Sequence, residues 1–226
     1  MVRLVLFDID GTLISTNGAG VRAFEKVFAT EFGLSEAIRG VRFAGRTDGA
    51  LVREVLTRAG VPATPENFQR FFDRYVFWLD HLLVKGGGGP CPGVLDFLRD
   101  LRDLPEPPTL GLLTGNVRLG AELKLRRFGL WEEFVFGGFA DDHEERDQIA
   151  VAARARARHH LGPALADEEI VVVGDTRHDI QCGRAIGARV LAVATGGETL
   201  ADLRPHAPDW LVGDLREISA REVCAS

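Results

Sequence analysis

Asp8 and Asp10 stand in the run Leu6-Phe7-Asp8-Ile9-Asp10-Gly11-Thr12-Leu13, directly after the apolar stretch Leu4-Val5-Leu6-Phe7. An apolar run this short reads as a buried strand, and two carboxylates at its end are not a strand's ordinary contents. Two acids so close repel unless a cation or a proton intervenes. The pair therefore suits a divalent metal site, a nucleophile beside an acid/base, or both. In a parallel sheet such groups emerge at the carboxyl edge, where Gly11 and Thr12 turn the chain away.

Three further runs end in polar groups. Residues 110–113 lead into Thr114-Gly115-Asn116. A hydroxyl, a flexible glycine and exposed backbone N–H groups ahead of a helix make an anion site; the same triplet is also an ordinary turn and helix cap. Residues 170–173 lead into Gly174-Asp175-Thr176-Arg177-His178-Asp179. Two acids four apart suit a metal, and Asp179 taken alone reads equally as a helix N-cap. Residues 134–136 lead through 137–142 to Glu145-Arg146, where Arg146 either enters the site or lies on a solvated helix face. Acids, a hydroxyl, backbone donors and a cation on one sheet edge form an inventory for phosphoryl transfer.

The elements that must position these groups alternate. Strands are expected at 2–7, 109–113, 134–136, 170–173, 190–193 and 210–212, and helices between them at 94–104, 117–128, 145–161 and 179–186. That order argues for an α/β fold, a Rossmann-like doubly wound parallel sheet with helices on both faces. One stretch breaks the alternation. Residues 18–85 offer three helices, at 19–32, 48–59 and 65–83, and no strand. Val21, Phe24, Val27, Phe28 and Phe32 recur near helical spacing. The aromatics Phe68, Phe71, Phe72, Tyr75, Phe77 and Trp78 read as core packing rather than a stacking platform. The segment is entered through Ser15-Thr16-Asn17-Gly18 and left through Gly86-Gly87-Gly88-Gly89-Pro90, both composed like hinges. Two hinges around one insertion suggest a moving cap. The expected division is a catalytic core of residues 1–15 and 87–226 and a small α-helical cap domain of residues 16–86.

Composition excludes several classes. The chain has 226 residues, a net charge of -6 and 46% hydrophobic residues, which suits a soluble globular protein. A net acidic chain without a basic block is a poor nucleic-acid binder. Its apolar runs are too short to span a bilayer, which takes about 18 residues. Strand character begins at once, so no signal peptide is expected. Cys91, Cys182 and Cys224 form an odd, widely spaced set that fits neither a metal pair nor a disulfide framework, and a cytoplasmic location is expected. Cys182 reads as a small buried residue.

Taken together, these residues resemble the haloacid dehalogenase superfamily, specifically its phosphatase-like members, over nearly the whole length. Asp8-Ile9-Asp10-Gly11-Thr12-Leu13 is similar to the family's first motif, Asp-x-Asp-Gly-Thr-Leu; Thr114 matches the second and Gly174-Asp175 with Asp179 the fourth. The insertion matches the cap between the first and second motifs, and Cys91-Pro92-Gly93-Val94 resembles the segment after the cap in phosphoglycolate-phosphatase-like relatives. The resemblance implies that Asp8 is the nucleophile and Asp10 the general acid/base. It implies Mg²⁺ held by Asp8, the Asp10 carbonyl and Asp175, with Asp179 in support. It also implies phosphoryl oxygens received by Gly11, Thr12, Thr114, Gly115 and Asn116. The superfamily's dehalogenases lack an acid at the position of Asp10, so phosphate chemistry is implied instead. The third motif departs: its usual lysine is missing, and Arg146 stands at the approximate place, as arginine does in part of the family. Lys124 lies too early for that motif. His178 reads as an orienter of the Asp175 loop. In the cap, Thr47 or Asp48 reads as an N-cap, and Arg46 either reaches an acidic substrate or lies on the surface.

The expected partner is a small phosphorylated metabolite, with the chain a monomer or homodimer and neither nucleic acid nor membrane involved. Alternatives are a phosphomutase of the same family, a receiver domain merely phosphorylated on aspartate, and a non-catalytic binding protein. A receiver needs neither Asp10 nor a cap, and a binding protein would be expected to have lost an acid. No P-loop signature occurs, and the first turn lacks the Gly-x-Gly-x-x-Gly of dinucleotide binding.

Overall fold

The computed structural model describes residues 1–225. Its centre is β1 (Leu4–Phe7), whose four residues are all buried. Side chains alternate across a strand, so Val5 and Phe7 enter one apolar layer while Leu4 and Leu6 enter the other. A strand wet on neither face needs cover on both sides, and the following helices supply it. On one face lies α4 (Val94–Arg102); on the other pack α6 (Arg146–Leu161) and α7 (Arg177–Ala185). The parallel partners are β4 (Thr109–Leu113) on one side and β6 (Ile170–Gly174) on the other. With β5 (Phe136–Gly138), β7 (Arg189–Val193) and β8 (Trp210–Val212), the order is β5-β4-β1-β6-β7-β8, all parallel. The chain is thus a doubly wound α/β protein, as its alternation of elements implies. Order reverses beside β1, so a crevice opens at the carboxyl ends of β1, β4 and β6. The remaining short helices are α5 (Arg118–Arg127), which follows β4, and α8 (Leu200–Leu203) and α9 (Ala220–Cys224) near the end.

Between β1 and α4 stand α1 (Ala19–Phe32), α2 (Asp48–Arg58) and α3 (Pro65–Gly86). They enclose an apolar cluster of their own. Phe24 packs against Phe71 at 4.8 Å and against Tyr75 at 5.0 Å between ring centroids. The aromatics are core packing, with one exception: Phe77 faces solvent. The segments that join this layer to the sheet pair with each other. β2 (Ile14–Ser15) and β3 (Gly89–Pro90) form a two-stranded antiparallel ribbon.

Most expected elements stand within two residues of their expected ends. The strand at 134–136 is a correction, since β5 begins only at Phe136. Residues 131–133 form a 3-10 turn, and pairing with β4 runs from Phe136 to Gly138. Glycines 137 and 138 hide this strand from a reading that looks for branched residues. Their lack of side chain is required: a Cβ on Gly138 would sit 2.7 Å from the Ile149 carbonyl oxygen of α6. Among the described residues no helix is long and apolar enough to cross a membrane.

Candidate active site

Two strand ends, those of β1 and β6, deliver the acids. Asp8 follows β1 directly and is buried; its N–H donates to the Val173 carbonyl at 2.9 Å, which ties it to β6. Asp175 follows β6, also buried. Its Oδ1 accepts from the Thr12 hydroxyl at 3.1 Å and its Oδ2 from the Gly197 N–H at 3.0 Å. Gly11 and Gly196 crowd this carboxylate so closely that a Cβ on Gly196 would fall 1.7 Å from Oδ2. Asp179 lies one turn into α7, wholly buried. It is not the N-cap. Thr176 holds that place, and Asp179 reaches back to accept from the Thr176 N–H at 3.0 Å and hydroxyl at 2.7 Å, a capping box. Carboxylate oxygens of Asp8, Asp175 and Asp179 all lie within 4.8 Å of one another.

Arg146 opens α6 and is buried, not solvated. Its Nη2 lies 2.8 Å from Asp8 Oδ1 and also donates to Asp179 Oδ1, while Nη1 donates to the Gly45 carbonyl at 3.3 Å. Its Nε is buried without a protein partner. One guanidinium thus pairs with two of the three carboxylates, Asp8 and Asp179. Burial raises Asp8 to about 6, with Arg146 opposing and Asp179 and Asp10 adding to the rise. Asp175 is pushed well above the usual carboxylate range, by burial first and then by Asp179 and Asp8. The cluster is short of positive charge.

A cleft of about 460 Å³ opens over these groups. Asp8, Asp10, Gly11, Thr114, Gly115, Asn116, Arg46, Arg146 and Asp175 all line it. Thr12 does not; its hydroxyl is committed to Asp175. Nor does Asp179, which sits beneath Arg146. The roof is the segment between α1 and α2. There Asp48 N–H donates to the Gly115 carbonyl at 2.7 Å, and Thr47 Oγ1 donates to the Glu144 carbonyl at 2.6 Å. Gly115 is the close-approach point: a Cβ there would meet the Arg46 carbonyl oxygen at 2.3 Å. Arg46 pairs with Glu54 of α2 at the rim. Thr47 caps α2, accepting from the Ala50 N–H at 3.2 Å. His178 is half-buried against Gly45, and burial holds its imidazole below the usual range.

Two charged residues of the cleft escaped the sequence reading. Lys124, on α5, is buried with its Nζ 2.6 Å from Asp10 Oδ2. Its signal was its place on the buried stripe Gly120, Ala121, Lys124, Leu125, where a lysine has no packing reason to be. Asp48 is buried too, accepts from the Val117 N–H at 2.9 Å, and is raised to about 7, chiefly by desolvation. Its type and helix-start position alone suggested only a cap.

Residues 5–193 match the model of the haloacid dehalogenase-like hydrolase family. The chain belongs to that family. The hydrolase is 31% identical to a phosphoglycolate phosphatase of Neisseria meningitidis, over 96% of this chain and 92% of that protein. It is 27% identical to the pyrophosphatase PpaX of Halalkalibacterium halodurans, over 96% and 95%. Among solved structures it resembles CbbY from Rhodobacter sphaeroides in complex with phosphate, with a TM-score of 0.74 at 19% identity over 96% of each chain. A predicted phosphoglycolate phosphatase from Haemophilus somnus gives 0.73 at 19%, over 98% and 96%. The expectation of a phosphatase-type hydrolase on this fold agrees with these relatives.

Proposed function

We propose that the hydrolase is a Mg²⁺-dependent phosphatase that cleaves a small phosphomonoester through an aspartyl-phosphate on Asp8. One observation carries this reading: Asp8 is buried at the carboxyl end of β1, beside Arg146 and within the carboxylate triad, with Asp10 lining the same cleft. The donor set fits Mg²⁺, being all oxygen and short of positive charge. Asp8, Asp175 and the Asp10 carbonyl would hold the ion, with Asp179 in support; bound there, it supplies charge neutralisation for the phosphoryl oxygens.

Asp8 attacks phosphorus while Asp10 protonates the departing ester oxygen. Water then attacks the aspartyl-phosphate, with Asp10 taking its proton. Thr114 and the backbone around Gly115 and Asn116 receive phosphoryl oxygens, and Arg146, beside Asp8, supplies positive charge to them. Residues 16–86 act as a cap that excludes bulk water when docked and undocks for exchange. The cleft volume suits a small metabolite. The phosphoglycolate phosphatase relative makes phosphoglycolate the first ester to try. Three free, buried cysteines are in keeping with a reducing cytoplasm.

The test is phosphate release from a panel of small phosphomonoesters, with and without Mg²⁺. Wild type should release phosphate only with the metal, and Asp8→Asn should fall to background while keeping its melting temperature, since Asn is nearly isosteric but not nucleophilic. Turnover by a clean Asp8→Asn preparation would remove Asp8 from this role.

A further inference from the structure

Asp10 lines the cleft, and its side chain is 43% exposed. An acid/base that free could rotate and present either oxygen to the substrate. It is held instead. Lys124 Nζ lies 2.6 Å from Asp10 Oδ2 and 2.5 Å from Asn116 Oδ1, while Asn116 Nδ2 donates to the same Asp10 Oδ2 at 2.9 Å and to Thr114 Oγ1 at 2.8 Å. The three side chains close a triangle. Both donors fall on one oxygen of Asp10, which leaves Oδ1 for the reacting ester.

The lysine has nowhere else to go. It is 3% exposed, whereas lysine side chains ordinarily carry their ammonium out to water. The α1 backbone lies over it: a Cβ on Gly20 would touch Nζ at 3.5 Å and Tyr75 Oη at 3.6 Å. Burying an ammonium is unfavourable unless it is well paired, and an apolar residue would fill this position of α5 at lower cost. The two buried cations of the cleft also divide their work. Arg146 takes Asp8, and Lys124 takes Asp10.

We infer that Lys124 is a positioning residue for Asp10, holding Oδ2 so that Oδ1 delivers the proton to the leaving oxygen. The inference rests on the reading of Asp10 as the acid/base. In the first half-reaction the Asp8–phosphorus bond forms as the ester bond breaks, and the Oδ1 proton passes to the departing oxygen. In the second, water attacks phosphorus as the bond to the Asp8 oxygen breaks, freeing the Asp8 carboxylate and phosphate, and the water's proton returns to Oδ1. Lys124 keeps its own protons throughout.

Leaving groups separate this role from a structural one, because a poor leaving group needs the proton and a good one does not. The experiment measures kcat/KM with Mg²⁺ for 4-nitrophenyl phosphate, phenyl phosphate and an alkyl phosphate, in wild type, Lys124→Met and Asp10→Asn. Lys124→Met should lose about 100-fold on the alkyl ester but only about 3-fold on 4-nitrophenyl phosphate, within the range of general acid catalysis. Asp10→Asn should show the same dependence more steeply. An equal loss on every ester, or none, in Lys124→Met beside a steep Asp10→Asn would overturn the inference and leave the acid/base reading standing. A flat Asp10→Asn series would overturn both. Melting curves accompany each variant. If Lys124→Met does not fold, Lys124→Gln, which keeps a donor for Asn116, is put through the same series and judged by the same outcomes.

Discussion

Asp48 shows how one buried acid couples the helical layer to pH. Its carboxylate accepts a single backbone N–H, from Val117, and desolvation outweighs both that bond and the attraction of Lys124. The group moves from an ordinary 3.8 to about 7 in the fold. The folded state therefore binds the proton more tightly than the unfolded one, and stability falls as pH rises from about 4 to about 7. The loss approaches roughly 4 kcal/mol at full ionisation. Asp48→Asn keeps the acceptor for Val117 and removes the charge. It should melt several degrees above wild type at pH 8 and near it at pH 4. Parallel melting profiles across that range would show that Asp48 does not titrate in the fold. At this scale most of the charged groups that line the cleft were legible in the sequence, but not all of them. Asp8, Asp10 and Asp175 were legible because acids at strand ends have no packing purpose. Lys124 and Asp48 were not, because an isolated lysine or helix-start aspartate is far more often solvated.

At the scale of elements, the two linkers matter most. Gly86-Gly87-Gly88-Gly89 reads as a slack hinge, yet Gly87, at φ +68°, and Gly88 both hold backbone conformations that favour glycine. Gly88 has φ +100°, and a Cβ there would lie 2.1 Å from the Ser15 carbonyl oxygen of β2. The ribbon of β2 and β3 depends on that approach. Gly88→Ala should cost about 1–3 kcal/mol of stability by forcing a left-handed conformation and parting the ribbon. A chemical denaturation midpoint equal to wild type would mean the ribbon tolerates the change. Composition revealed the hinges; the pairing between them was not readable, since two-residue strands carry no periodicity. The same limit displaced β5, whose Gly137 and Gly138 carry no strand propensity and are chosen by contacts with α6 and β4.

At the scale of the whole molecule, the helical layer is seated on the carboxyl edge of the sheet through Gly45, Thr47 and Asp48. Beneath it lie three buried carboxylates, two of which, Asp8 and Asp179, share one guanidinium. A bound divalent cation should relieve that imbalance and stabilise the fold by mass action, by about 2.7 kcal/mol at a hundredfold excess over Kd. For a chain of this size that is about 5–10 °C in melting temperature. Mg²⁺ should therefore raise the melting point of wild type, and Asp175→Asn should abolish most of the rise, whatever substrate the hydrolase takes. An unchanged melting point in saturating Mg²⁺ would argue against the ion binding at this triad.

The order of apolar runs and polar strand ends determined by itself that this is a parallel α/β sheet, with acidic and polar groups gathered at one edge and a helical insertion after the first strand. Those features are local: periodicity, strand-end acids and glycine-rich joins are written in neighbouring residues. Only the tertiary structure decided that Arg146 lies against Asp8 and that Lys124 reaches Asp10 across 114 residues of chain. It decided too that Thr12 serves Asp175 rather than the cleft. These pairings depend on which residues the crossovers bring together and which they take out of water. Burial is a property of the assembled layers, and burial is what turns a lysine or an aspartate into part of a site.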